Sequence, residues 1–322
     1  MVSFDNSFIM NHTCIRIKDP KVSVPFYTEN FGMEVVATLP FEQSGFTLYM
    51  LAFINSEDVK GKSWNTRQGI LELTHNHGAE TEEPYNMGEP NGGKPRGFGH
   101  ICFSVDNIEA AEAQLLQSGV QFKKKLSDGR QKNIAFALDP NGYWIELIEH
   151  GSGKQAGKTS AATYRFNHTM IRVRDPKVSV EFYRSVCGMK LLSTRVHENA
   201  KFTLYFLGYD HDPEFKENAL EAKDQAHREG IIELTHNWGT ENDSSFWGYH
   251  NGNSTENGAV QDFGHTCISC DDPAKFCSEI DAQLGDKADW ALKWNHGKMK
   301  GIAFLRDPDG YSIEILGSSF KA

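Results

Sequence analysis

Short runs of alternating apolar and polar residues, broken by glycine, proline and asparagine, extend along this chain. Alternation of this kind predicts strands with one buried face. Asn11-His-Thr-Cys-Ile-Arg-Ile17 and Gly99-His-Ile-Cys-Phe-Ser-Val105 read as strands, each with a histidine near its start. Each is followed by a helix-like run, residues 20–31 and 108–118. Further strands are predicted at 46–53, 70–73, 133–138 and 144–147. Asp139-Pro-Asn-Gly142 is a turn signal ahead of the last of these. Each quarter of the chain therefore reads as a strand, a helix and several more strands.

The pattern then repeats. Asn11-His-Thr-Cys-Ile-Arg16 recurs as Asn167-His-Thr-Met-Ile-Arg172, and Glu72-Leu-Thr-His-Asn76 as Glu233-Leu-Thr-His-Asn237. Phe98-Gly-His100 recurs as Phe263-Gly-His265, and the Asp139 turn as Asp307-Pro-Asp-Gly310. The order is kept while the offset grows slowly, as in a duplication with small loop insertions. The expected organisation is a first domain over residues 8–150, a linker over 151–163 and a second domain over 164–320. Gly151 to Ser160 has the composition of a flexible linker. Residues 210–230 are highly charged and predict a solvated helix. Residues 78–96 and 238–261 predict long loops of the kind that cover ligands.

Composition narrows the field. The 322 residues are 39% hydrophobic and 24% charged, which is the balance of a folded, water-soluble protein. A net charge of −10 argues against a nucleic-acid partner. No stretch approaches the apolar length of a membrane span. The start, Met1 to Ser7, lacks the basic and apolar regions of a signal peptide, so a cytoplasmic location with reduced thiols is expected. Cys267 and Cys270 form a C-x-x-C inside a strand pattern and read as small buried side chains.

One histidine and one glutamate recur in every quarter: His12 with Glu72, His100 with Glu146, His168 with Glu233, His265 with Glu314. Each glutamate interrupts an apolar strand, where an unpaired carboxylate is costly. A lone strand histidine is more often structural than a ligand. Four matching pairs point instead to nitrogen and oxygen ligands for a divalent ion such as Zn²⁺, Ni²⁺, Co²⁺, Mn²⁺ or Fe²⁺. Arg16 and Arg172 stand on the histidine's face of their strands, and Asn76 and Asn237 follow the glutamates at the same spacing. Beside a metal these groups suit an anionic, amide-bearing substrate.

These motifs resemble the glyoxalase I family of the vicinal-oxygen-chelate superfamily, in its long fused fungal-type form. The resemblance rests on Asn11 to Arg16, Phe31-Gly-Met33, Leu71 to Asn76, Arg96-Gly-Phe-Gly-His100 and Asp139 to Glu146, with their second-half counterparts, and covers nearly the whole chain twice. It implies an α+β fold of four βαβββ modules in two tandem two-module halves, paired internally within a monomer. It implies one site from His12, Glu72, His265 and Glu314, and another from His100, Glu146, His168 and Glu233. Each would hold one divalent ion, Zn²⁺ favoured and Ni²⁺ the alternative. The implied reaction isomerises the hemithioacetal of glutathione and methylglyoxal to S-D-lactoylglutathione. Glu146 and Glu314 would be the bases, and the metal would polarise two neighbouring oxygens. Arg16 with Asn76, and Arg172 with Asn237, would bind the glutamyl end of glutathione. Lys124 and Arg130, or Lys293 and Lys298, would approach its glycyl carboxylate. Arg96 matches a further family arginine at the substrate. Its second-half counterpart is Gln261, which predicts two unequal sites.

Two other functions fit the same fold. A dioxygenase would need a two-histidine, one-carboxylate iron site, and a drug-sequestering protein would need no buried carboxylates. The doubled two-histidine, two-glutamate set disfavours both.

Overall fold

The computed structural model describes residues 2–55, 59–129 and 131–321. Its first module runs β1 (Ile9–Ile17), α1 (Pro20–Phe31), β2 (Glu34–Phe41), β3 (Phe46–Ala52) and β4 (Ile70–Asn76). The second runs β5 (Phe98–Val105), α2 (Ile108–Gln117), β6 (Phe122–Lys124), β7 (Ala135–Leu138) and β8 (Trp144–Glu149). The third runs β9 (Arg165–Arg172), α3 (Pro176–Ser185), β10 (Lys190–His197), β11 (Phe202–Gly208), the one-turn α4 (Ala222–Gln225) and β12 (Ile231–Asn237). The fourth runs β13 (Phe263–Cys270), α5 (Pro273–Leu284), β14 (Trp290–Leu292), β15 (Ile302–Arg306) and β16 (Ser312–Gly317). This is the α+β architecture of four βαβββ modules.

The modules do not pair with their neighbours in sequence. The first and fourth form one eight-stranded sheet, joined by antiparallel β1 and β13. The second and third form the other, joined by β5 and β9. Each half of the chain therefore contributes to both sheets. Equivalent residues meet where the sheets approach: the Thr13 and Thr169 hydroxyls are 2.6 Å apart, and the Phe98 and Phe263 rings stack at 4.8 Å.

Strand alternation assigns the two faces. Leu71 and Leu73 lie in the main apolar core while Glu72 between them faces the other way. Ile145 and Leu147 flank Glu146 in the same manner, as Ile232 and Leu234 flank Glu233, and Ile313 and Ile315 flank Glu314. The core is continuous between the sheets; Phe31 of α1 meets Phe103 of β5 at 5.1 Å.

Local chemistry explains the helix ends. Asp19, Asp175 and Asp272 cap α1, α3 and α5, each followed by a proline at the first helical position. Gly32 ends α1 in the left-handed conformation, at φ 72°.

Two expectations change. The segment expected to be a flexible linker is tied down: Asn107 Nδ2 donates to the Gln155 carbonyl, the Lys154 ammonium pairs with Glu109 and Glu149, and Asp106 accepts from Thr159 and Ser160. Composition alone does not reveal these anchors, because they lie on another element. The charged stretch 210–230 has only the single helical turn α4, and its last residue, Gln225, is buried. Among the described residues, no helix is long and apolar enough to cross a membrane.

Candidate metal centres

Four strands deliver four ligand-type side chains to the face of each sheet that turns away from the main core. In the first sheet, β1 supplies His12, β4 Glu72, β13 His265 and β16 Glu314. In the second, β9 supplies His168, β12 Glu233, β5 His100 and β8 Glu146. In each set, one donor atom from every residue lies within 4.8 Å of the others. His12 Nε2 is 3.3 Å from Glu72 Oε2, 3.0 Å from Glu314 Oε2 and 3.1 Å from His265 Nε2. His168 Nε2 is 3.1 Å from Glu233 Oε2, 3.2 Å from Glu146 Oε2 and 3.4 Å from His100 Nε2.

These spacings suit a divalent ion. Ligand atoms about 2.1 Å from a common centre lie roughly 3.0–3.4 Å apart in octahedral or tetrahedral arrangement. The donor chemistry agrees. Asn11 Oδ1 accepts from His12 Nδ1 at 2.7 Å and Asn167 Oδ1 from His168 Nδ1 at 2.8 Å, which leaves each Nε2 lone pair facing the carboxylates. Each set holds two buried carboxylates and neither arginine nor lysine, so a divalent cation would satisfy its charge.

Without an ion, the protons show the same demand. Burial works against a charged His12, yet the hydrogen bond to Glu314 and the charge of Glu72 leave its pKa raised. Burial likewise works against ionised Glu314, yet the hydrogen bonds from His12 and His265 hold its carboxyl below the usual range. Glu146 is lowered against its burial by the charge and hydrogen bond of His100 and by His168.

The two glutamates of a set are not equivalent. Thr74 Oγ1 donates to Glu72 Oε1 at 2.7 Å, and Thr235 Oγ1 to Glu233 Oε1 at 2.9 Å. Ile148 and Leu316 hold the matching positions after Glu146 and Glu314, so the threonine hydroxyl has no counterpart there. They are also the more accessible pair, 11% exposed against 5%.

Each set opens into a cavity, of about 390 Å³ in the first sheet and about 760 Å³ in the second. Arg16, Asn76 and Gln261 line the smaller one, and Arg172 and Asn237 the larger. Arg16 Nη2 donates to Asn253 Oδ1 at 2.8 Å, and Asn237 Nδ2 to the Tyr249 hydroxyl at 3.0 Å. The remaining expected residues lie elsewhere. Lys124 Nζ donates to the Gln131 and Ile134 carbonyls, both at 2.7 Å, behind the wall of the larger cavity. Lys293 and Lys298 are exposed, Lys293 3.8 Å from Asp281. Arg130 falls outside the described residues.

Arg96 departs from expectation. Its guanidinium pairs with buried Asp262, its Nε donates to the Asn86 and Glu89 carbonyls, and neither cavity wall includes it. Sequence alignment of the halves supplies the reason: where the first half has Arg96-Gly97, the second has Gln261-Asp262, and Asp262 claims the arginine. Thr74, Thr235, Asn253 and Trp64 are site neighbours that motif reading passed over. The two threonines were visible inside the repeated Glu-Leu-Thr-His-Asn run, but Asn253 and Trp64 lie in loops without a motif.

A fold of paired βαβββ modules holding buried His/Glu sets defines a class, and comparison bears it out. The chain matches the Glyoxalase/Bleomycin resistance protein/Dioxygenase superfamily over residues 9–147 and 165–315, and it belongs to that superfamily. Within it, the chain groups with glyoxalase I. It is 50% identical to "Glyoxalase I" of Saccharomyces cerevisiae, across 98% of this chain and 94% of the yeast protein. It is 46% identical to "Lactoylglutathione lyase" of Schizosaccharomyces pombe, across 97% of both chains. Glyoxalase I from Zea mays shares the fold, with a TM-score of 0.70 at 24% identity over 97% of this chain and 93% of the maize chain.

Proposed function

We propose that this chain is a lactoylglutathione lyase with two metal-dependent active sites, acting on the hemithioacetal of glutathione and methylglyoxal. The observation that carries the reading is the pair of buried two-imidazole, two-carboxylate clusters, in a chain whose full-length yeast relatives bear the names glyoxalase I and lactoylglutathione lyase. His12, Glu72, His265 and Glu314 hold one ion, and His100, Glu146, His168 and Glu233 the other. The N₂O₂ donor set is compatible with Zn²⁺, which we favour by likeness to the fused fungal form, and with Ni²⁺.

When bound, the ion supplies Lewis-acid polarisation of the substrate's two neighbouring oxygens. The chain supplies proton transfer and positioning. Glu146 and Glu314, free of a hydroxyl partner and the more accessible of each pair, take the carbon-bound proton, which is returned to the adjacent carbon. Glu72 and Glu233 are fixed by their threonines and keep a ligand's orientation. Arg16 with Asn76, and Arg172 with Asn237, bind the glutamyl end of glutathione, and the exposed Lys293 and Lys298, or Lys124 and Arg130, serve its glycyl carboxylate. Arg96, engaged by Asp262, acts as a clasp between the halves rather than as a substrate ligand. The chain works as a cytoplasmic monomer, a setting consistent with six unpaired cysteines.

Ultraviolet detection of thioester formation from methylglyoxal and glutathione tests the reading. Turnover should vanish after chelation and return with Zn²⁺ or Ni²⁺. Folded protein that shows no turnover with any divalent ion added back would overthrow it.

A further inference from the structure

The two ligand sets match, but the cavities they open into differ about twofold in volume. The difference has an identifiable cause. Trp64 and Gln225 hold the same place in the two sheets: Asn11 Nδ2 donates to the backbone carbonyls of Trp64 and Arg67 at 2.7 and 2.6 Å, and Asn167 Nδ2 to those of Gln225 and Arg228, both at 2.8 Å. Beside the first set, the indole stands 6.2 Å from the His12 ring and 6.2 Å from the Phe320 ring. It packs against the cluster of Met50, Ala52 and Ile70 on one side and that of Cys267, Ile302 and Leu316 on the other, bridging the first module to the fourth.

Beside the second set this bridge is missing. Gln225 turns to the Ser193 hydroxyl, 2.5 Å away, and it lines open space together with Ile148 and Glu149. The first-sheet counterparts of those three, Trp64, Leu316 and Gly317, line no part of the smaller cavity. After β16 the chain brings Phe320 back onto Trp64, whereas after β8 it leaves to anchor on α2. The extra volume of the larger cavity thus lies where Trp64 and Phe320 fill the smaller one.

We propose that the two sites divide 2-oxoaldehydes by size, with Trp64 as the specificity-determining residue. The His12 site takes hemithioacetals with a small substituent such as methyl. The His168 site also takes those with an aryl or long alkyl substituent. The proposal rests on the lactoylglutathione lyase reading.

The test uses single-site enzymes: Glu146→Gln leaves the His12 site working, and Glu314→Gln leaves the His168 site. For each, kcat/KM is measured with the glutathione hemithioacetals of methylglyoxal and phenylglyoxal. The phenyl-to-methyl ratio should be about tenfold or more higher for Glu314→Gln, the scale on which a pocket separates substrates by bulk. Adding Trp64→Gln to the Glu146→Gln enzyme should raise its ratio towards that of Glu314→Gln. Phe320→Ala, which removes the ring packed against Trp64, should shift it the same way, and serves where the tryptophan change impairs folding. Equal ratios in the two single-site enzymes would overturn the division while leaving the lyase reading intact. If neither single-site enzyme acted on methylglyoxal, the lyase reading itself would fall. A ratio unmoved by both Trp64→Gln and Phe320→Ala would remove the role given to Trp64.

Discussion

At the scale of single residues, the buried carboxylates of this chain are held by dedicated partners. The aspartates of the two Asp-Pro turns illustrate this outside the metal centres. Asp307 Oδ1 accepts the Tyr311 and Asp309 amides at 2.9 and 3.0 Å, and Tyr183 donates to its Oδ2 at 2.9 Å. Burial nevertheless pushes its pKa from 3.8 up to about 7, with the charge of Asp309 adding to the rise. A folded pKa above the unfolded one means that folding takes up a proton. The associated stability is fully present below about pH 4 and is lost as pH rises through 7. Asp307→Asn keeps an acceptor and cannot ionise. Between pH 4 and 8, the metal-free parent should lose roughly 2–4 kcal/mol relative to this variant. Denaturant unfolding across that range reads the difference, and parallel stability curves would show that Asp307 titrates normally.

At the scale of elements, each module is one strand and one capped helix followed by a three-strand meander, and each cap is written locally. Asp175 accepts from the Lys177 amide at 2.9 Å ahead of Pro176. Asp175→Ala should cost about 0.5–2 kcal/mol, seen as a lower urea midpoint. KM for the hemithioacetal should stay unchanged, because α3 contributes no cavity residue. A raised KM would mean that the helix end also positions the site. The helices at 20–31 and 108–117 and the eight ligand strands were legible from periodicity and repeat, since capping and alternation act within a few residues. The 210–230 stretch was not. Its charge suggested a solvated helix; the one turn that forms, α4, ends in buried Gln225, drawn inward by Asn167 of β9 and Ser193 of β10.

At the scale of the molecule, the outer modules share one sheet and the inner modules the other. One candidate metal centre therefore joins His12 near one end of the sequence to Glu314 near the other. Ions bound there favour the folded state by mass action. Elemental analysis should find two divalent ions per 36.2-kDa chain, on a species that light scattering measures as a monomer. Chelation should lower Tm by on the order of 5–10 °C, reversibly on readdition of metal. A Tm indifferent to chelator would count against ions bridging the first and last modules.

The duplication, the module type, the recurring His/Glu pairs and, through resemblance to known enzymes, the pairing of the quarters can all be read along the chain. Those features are local or periodic, so they survive in one dimension. Folding in three dimensions is needed to see that Asp262 claims Arg96, that the segment after Gly151 is anchored, and that Trp64 and Phe320 pack together beside one ligand set. Each of these depends on which distant side chain arrives first at a shared space, and spacing along the chain carries no record of that.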